Sequence, residues 1–228
     1  MKSPGPFVGV LFLFDVLVTL VVIFFILRKN RTEFLNQIMA LTLSCFCVYL
    51  IFEGLIYLLP VSFLAFFNLF RDLSFIGAIM AATFAAFSGI YILKGKDYLF
   101  QIQIVGPIIF LGLFGVVIAT LNDHVYYNSQ TDTIVYNTST LGLVGLTVIP
   151  ILLMVIAIIF YYRALKTIDS ENPMYKKALL LPISLVIITI GIGYYGITML
   201  IGLPTETIGS FGHLFFIIAS FLFVYTFK

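Results

Sequence analysis

Long and nearly uninterrupted apolar runs constrain this chain more than any other feature. The 228 residues are 62% hydrophobic and only 10% charged, whereas soluble domains carry about 25% charged residues. A helix of about 20 apolar residues crosses the hydrocarbon core of a bilayer. Because the runs are continuous rather than alternating, they predict helical spans and not the strands of a barrel. We therefore predict an all-α, multi-pass protein of the cell membrane, in contact with lipid.

Seven such runs predict a single seven-helix transmembrane domain over residues 1–228. Residues 61–93 are too long for one upright span, so we divide them into an interfacial stretch, VSFLAFFNLF, and a third span that begins at residue 72. The predicted spans cover residues 7–27, 34–59, 72–93, 102–121, 141–162, 178–201 and 207–227.

The distribution of Lys and Arg predicts the orientation, because cytoplasmic loops are enriched in both residues. One side holds only Lys2 and Arg71. The other holds Arg28, Lys29, Arg31, Lys94, Lys96, Arg163, Lys166, Lys176, Lys177 and Lys228. We expect the N-terminus outside, the C-terminus inside and a protein partner at the basic inner loops. A net charge of +2 gives no indication of a nucleic-acid partner.

Two local patterns refine this bundle. Between spans four and five, VYYN and TIVYN flank the polar turn SQTD, which predicts a short extracellular β-hairpin. In the third span small residues recur every four positions, a spacing that lets backbones approach closely in lipid. They form two rows, Gly77, Ala81, Ala85 and Gly89, and Ala78, Ala82 and Ala86. The third span is therefore predicted to be the central helix.

Ionisable residues concentrate in the outer third of the predicted bundle. At about 1.5 Å per helical residue, Asp15 lies roughly 12 Å deep, and Glu53 and His213 each lie roughly 9 Å deep. Such residues need a partner or a path to water. We identify a candidate ligand-binding layer of Asp15, Glu53, Tyr57, Arg71, Asp72, Tyr194, Tyr195 and His213.

The same residues also fit a purely structural network. Arg71 would then neutralise Glu53 or Asp15, Asp72 would cap the start of the third helix, and His213 would hydrogen-bond a tyrosine. Three carboxylates face one arginine in this layer, so either some carboxylates are protonated or a cation visits the site.

Catalytic and cofactor motifs are missing from the sequence. It contains no H-E-x-x-H, G-x-S-x-G or phosphate loop, so we expect neither enzymatic activity nor a metal site. Microbial rhodopsins share the size and span count of this chain, but their chromophore is covalently attached to a lysine in the middle of the seventh span. Here the only lysine of that region is Lys228. We therefore expect no cofactor, and a retinal Schiff base is excluded.

The layout resembles the seven-span input region of membrane histidine kinases. The similarity lies in the basic turn LRKNR, an arginine that introduces the third span, the outer loop DHVYYNSQTDTIVY and the inner loop YYRALKTIDSENPMYKKALLL. The resemblance implies a signal that is sensed by the bundle and passed on through the seventh helix. No kinase follows Lys228, so signalling is expected to use a separate partner.

Three functional hypotheses follow. The first is a sensor that binds a small ligand or ion in an outward-facing polar cavity and changes its helix packing around Gly191, Gly193 and Gly196. The second is a non-catalytic assembly subunit of a larger membrane complex. The third is a small-solute or ion transporter, which would need a second polar layer that the inner half of the sequence does not supply.

Overall fold

The described part of the chain folds into a bundle of seven helices with one two-stranded hairpin. A computed structural model describes residues 6–121, 123–128, 133–169, 171–200 and 205–227. The helices are α1 (Pro6–Lys29), α2 (Phe34–Leu58), α3 (Leu64–Lys94), α4 (Ile102–Leu121), α5 (Thr140–Leu165), α6 (Pro173–Leu200) and α7 (Thr205–Phe227). The strands are β1 (Asp123–Asn128) and β2 (Thr133–Thr138). Lys2, Lys228 and the predicted turn SQTD lie outside the described residues.

Five helices in the described part of the chain, α1 to α5, are long and apolar enough to cross a membrane. Two further helices contain shorter apolar segments, Ala178–Tyr194 in α6 and Gly212–Thr226 in α7. The all-α membrane class predicted from composition agrees with this architecture. Six of the seven helices begin and end within five residues of the predicted spans.

The third helix differs from its predicted bounds. α3 begins at Leu64, after a single 3₁₀ turn at Val61–Phe63, and continues without a break to Lys94. The division at residue 72 is therefore wrong for the secondary structure, since α-helical hydrogen bonding continues from Leu64 through this position. Asp72 lies two turns inside α3, so the helix-capping role considered for it is also wrong.

Six helices form a ring, and the fourth packs outside it. Around the ring α1 contacts α2, α2 contacts α3, α3 contacts α5, α5 contacts α6, α6 contacts α7, and α7 returns to α1. α4 packs against α3 and α5. Its opposite face exposes Phe110, Leu113, Phe114 and Val117, as expected for a surface in contact with lipid.

Small residues of α3 do allow close helix packing, as predicted. A Cβ atom at Gly77 would lie 2.7 Å from the backbone nitrogen of Tyr49 in α2, and one at Gly89 would lie 3.0 Å from the carbonyl oxygen of Ala157 in α5. The two ends of the glycine row thus contact two different neighbours, and α3 occupies the ring position between them.

A wide turn in α5 precedes a proline. Residues Val144–Val148 form a π-helical segment immediately before Pro150. Proline lacks an amide hydrogen and crowds the preceding turn, and a π-turn is one of the ways in which a helix accommodates such a disruption. The widened turn brings Gly145 against the backbone of α4, where an added Cβ would lie 2.8 Å from the nitrogen of Ala119.

The predicted β-hairpin is confirmed. β1 and β2 pair antiparallel, with Asp123 opposite Thr138 and Asn128 opposite Thr133. The side chain of Val125 is buried against Ile56 of α2 and Phe67 of α3. The hairpin therefore lies on the ends of these two helices, and we call this side of the molecule the hairpin end.

Candidate functional site

Arg71 is the centre of a buried ion-pair cluster at the hairpin end. Its side chain is 1% exposed, its Nη1 donates to a Glu53 carboxylate oxygen, and its Nε donates to Oδ2 of Asp123 over 2.8 Å. The hydroxyl of Ser74 donates to the second Glu53 oxygen over 2.9 Å. The guanidinium also lies over the ring of Phe75, with Cζ 4.2 Å from the ring centroid. Two carboxylates and one aromatic face thus hold this cation, and the Ser74 hydroxyl holds the carboxylate of Glu53.

Asp123 is a member of the cluster that the sequence interpretation missed. It opens β1, is 3% exposed and accepts a hydrogen bond from the Thr138 hydroxyl across the hairpin. The backbone amide of Val125 donates to the side-chain oxygen of Asn68 in α3 over 2.7 Å. The only sequence signal was an acidic residue that directly follows the fourth span, at the same end as Arg71. The residue was assigned to the hairpin between spans four and five, so this carboxylate was not counted with those in the spans.

A second buried pair joins the first and last helices. Nδ1 of His213 in α7 contacts Oδ2 of Asp15 in α1, and both residues are at most 4% exposed. The ring of His213 meets the ring of Phe12 edge-on, with centroids 4.6 Å apart. The partner of His213 is therefore a carboxylate and not the tyrosine considered above. Asp15 pairs with this histidine rather than with Arg71.

The remaining members of the predicted layer are more scattered. Tyr57 is buried and stacks on Phe12, with ring centroids 6.0 Å apart. Asp72 is half-buried, and Tyr194 is half-buried with its ring 6.2 Å from that of Phe215. The side chain of Tyr195 lies outside the described residues. Four of the eight candidates thus form two ion-pair centres, Arg71 with Glu53 and His213 with Asp15.

A cavity of about 130 Å³ lies between the six ring helices. Arg71 and His213 both contribute to its wall, which brings the two ion-pair centres to the same space. Most of the other lining residues are apolar, and Phe46, Phe75, Leu146, Met154, Ile188 and Phe223 are representative of them. This volume is sufficient for several water molecules or for a small organic ligand.

Polarity in this cavity is graded along the bundle axis. On α7 the lining runs from Gly212 and His213 to Phe223, and on α3 from Arg71 to Ala85, which is about 21 Å along α3. The hydroxyls of Thr19 and Thr42, which also line it, donate to carbonyl oxygens of their own helices. The charged groups therefore occupy the hairpin end of a long and mainly apolar space.

Part of the small-residue pattern in α3 serves this cavity rather than helix packing. Ala78, Ala81, Ala82 and Ala85 line it, whereas Gly77 and Gly89 contact neighbouring backbones. The methyl side chains leave space where leucines at the same positions would fill it. Four-residue spacing alone does not distinguish these two roles.

Comparison with known proteins gives no assignment: no protein-family model matches the chain, and no curated protein matches it. Within the described residues, no group of three or more His, Cys, Asp or Glu side chains is arranged to hold a metal ion. Functional conclusions therefore depend on the two ion-pair centres and the cavity between them.

Proposed function

We propose that the protein is a non-catalytic, seven-span membrane receptor that binds a small ligand in the central cavity. The cavity itself is the observation that carries the proposal, because close-packed interiors rarely leave a space of this size. Its position between six helices means that an occupant would contact all of them. A ligand that binds two packing arrangements of these helices unequally shifts the balance between them.

The proposal includes seven spans, with the N-terminus outside and the C-terminus inside. α6 and α7 are counted as spans because each contains an apolar segment between Lys- or Arg-rich and polar ends. The bias of Lys and Arg toward one side supports the orientation. In this orientation the hairpin and the charged end of the cavity face outward, and the basic loops meet a separate signalling partner.

The packing of α6 supports a movable contact near the cavity. Gly191 lines the cavity, and an added Cβ there would lie 3.2 Å from Cβ of Phe215 in α7. An added Cβ at Gly196 would lie 2.3 Å from Cγ2 of Thr147, in the π-helical segment of α5. We propose that ligand binding changes the packing of α6 against these two helices and transmits the signal to the inner loops.

Filling the cavity tests this function. Ala78 lines the cavity and Ala65 is exposed on the same helix, so Ala78→Leu and Ala65→Leu make the same chemical change inside and outside it. After purification in mild detergent, extracted small molecules are quantified by mass spectrometry. We expect a molecule in near-stoichiometric amount with the parent chain and Ala65→Leu, and a loss of at least tenfold with Ala78→Leu.

Equal retention by both variants would place the bound molecules on the lipid-facing surface and contradict the receptor proposal. A stable protein partner that copurifies equally with parent, Ala78→Leu and Ala65→Leu, in the absence of any retained small molecule, would instead support the assembly-subunit hypothesis.

A further inference from the structure

A groove of about 340 Å³ lies on the outer face of the bundle, over α3 and between α2 and α4. Because α4 packs mainly against α3 and α5, a strip of α3 next to α2 is left uncovered, and Phe84 and Phe87 lie half-buried along it. The 3₁₀ turn Lys96–Phe100 closes one end. Among the described residues, none lines both this groove and the central cavity, so the groove is a separate site.

The walls of this groove are apolar apart from Gln37, and its rim faces the membrane. Leu41 and Phe100 at the rim are 44% and 73% exposed. Along α2 the lining runs from Phe34 to Leu41, about 10 Å at the rise of an α-helix. One leaflet contributes about 15 Å of hydrocarbon. The groove therefore has room for part of one acyl chain, and the rest of that chain stays in the surrounding lipid.

Basic residues from two segments lie at the closed end of the groove. Nζ of Lys96 lies 5.2 Å from the ring centroid of Phe34, which lines the groove. Nε2 of Gln37, another lining residue, donates to the carbonyl oxygen of Arg31 over 3.2 Å. The basic turn between α1 and α2 therefore lies beside the same end as Lys96. The side chains of Lys96 and Arg31 are both exposed, so a charged group of a lipid can reach them.

We propose that the groove binds an anionic phospholipid, with one acyl chain over α3 and the phosphate at Lys96 and Arg31. Residues 28–34 and 94–97 carry five Lys or Arg side chains against two carboxylates, a net charge of +3. Basic pockets between membrane helices bind anionic head groups, and such lipids are concentrated in the cytoplasmic leaflet, which this end faces in the proposed orientation. A zwitterionic phospholipid offers the same acyl chains without net charge, so the basic residues select against it.

A matched pair of photoreactive lipids tests this site. Phosphatidylglycerol and phosphatidylcholine, each with a diazirine in one acyl chain, are added in equal trace amounts to the protein in phosphatidylcholine nanodiscs, and mass spectrometry locates the labelled residues. Labelling of Leu41, Phe84 and Phe87 is divided by that of Phe24, which is 59% exposed near the same end of α1. We expect this ratio to be about fivefold higher or more with phosphatidylglycerol, the effect of one basic residue at an anionic lipid surface. Equal ratios would overturn the proposal.

Two double variants separate this site from a general attraction of anionic lipid to the basic end. Lys96→Gln with Arg31→Gln should lower the phosphatidylglycerol ratio to the phosphatidylcholine value. Lys166→Gln with Arg163→Gln is the matched control and should leave the ratio unchanged. It removes the same charges at the end of α5, where Nζ of Lys166 lies 4.8 Å from the ring centroid of Tyr162.

All four replaced side chains are exposed, so both variants should fold, and thermal unfolding checks this. An equal loss of preference in the two variants would assign the attraction to the whole basic surface and overturn the groove site. A preference that survives Lys96→Gln with Arg31→Gln would also overturn it.

Discussion

At the scale of single residues, the buried charges of this protein are organised as pairs. Arg71 joins α2, α3 and the hairpin, and Asp15 with His213 joins α1 to α7. Removing one member of such a pair leaves the other charge buried without compensation, which costs far more than the pair itself contributes. These residues therefore fix the relative positions of elements that the apolar surfaces alone do not specify.

Replacement of Arg71 by leucine should destabilise the bundle strongly. Arg71→Leu leaves Glu53 and Asp123 buried next to each other without a cation, and the loss of one partner from a buried ion pair costs about 3–5 kcal/mol. Denaturant unfolding in detergent measures the loss. Arg28→Leu is the control, because Arg28 is exposed and its replacement should change stability by less than about 0.5 kcal/mol. Similar values for the two variants would contradict the central position of Arg71.

Asp15 and His213 should show energetic coupling in a double-mutant cycle. Contacting residues of one network typically couple by about 0.5–3 kcal/mol. Asp15→Asn, His213→Gln and the double variant are compared by thermal unfolding with the parent chain. Additive effects would contradict the contact between the first and last helices. Asp15→Asn with Tyr98→Phe serves as a control pair, since Tyr98 lies near Lys94 and the α3–α4 connection.

The sequence predicted the depth of the ionisable side chains better than the identity of their partners. Depth along a span follows from counting residues, so Asp15, Glu53 and His213 were placed at one end. The direction of each side chain around its helix was not predictable, because helices that are apolar on every side have no polar stripe to mark a face. Asp15 and His213 are 198 positions apart, and no local rule connects them.

At the scale of elements, close backbone contact and open space alternate along α3. Gly77 and Gly89 contact α2 and α5, and four of the alanines between them line the cavity. The sequence predicted the close contacts, since small residues four apart are typical of packed helices in lipid. It did not predict the cavity, because an empty space depends on the side chains of all six ring helices at once.

The start of α3 shows a second limit of sequence interpretation. A length argument divided residues 61–93 because one upright span needs about 20 residues. The helix instead continues through Arg71 and Asp72, since the hairpin and Glu53 supply the partners that a charged residue inside a helix bundle needs. The length of α3 therefore does not follow from the thickness of the membrane.

Substitution of Gly77 should separate α2 from α3. In Gly77→Ala the new methyl group would lie 2.7 Å from the nitrogen of Tyr49 and 2.8 Å from the oxygen of Cys45, and backbone atoms cannot move aside as side chains do. We expect a loss of about 1–3 kcal/mol, the usual cost of overpacking. Thermal unfolding measures it, with Gly106→Ala as the matched control. There the nearest atoms belong to Ile102, at 3.6 Å, so stability should be unchanged or slightly higher.

At the scale of the whole molecule, the ring arrangement separates two surfaces with different roles. Six helices share the inner space, whereas α4 lies outside the ring against α3 and α5. Changes of packing within the ring therefore alter the cavity, whereas α4 supports α3 and α5 from the lipid side. The hairpin links α4 to the ring, because it follows α4 in the chain and its Asp123 accepts a hydrogen bond from Arg71 inside the ring.

The proposed orientation predicts which exposed residues are accessible from outside the cell. Asn137 is exposed on the hairpin and Lys166 is exposed after α5. In a background with Cys45→Ala and Cys47→Ala, we expect Asn137→Cys to react with a membrane-impermeant maleimide in intact cells. Lys166→Cys and Lys176→Cys should react only after permeabilisation, because the rule for Lys and Arg places them inside. The reverse labelling pattern would show that the molecule has the opposite orientation in the membrane. The cavity end that contains Arg71 and His213 would then face the cytoplasm, and a ligand would have to reach it from there.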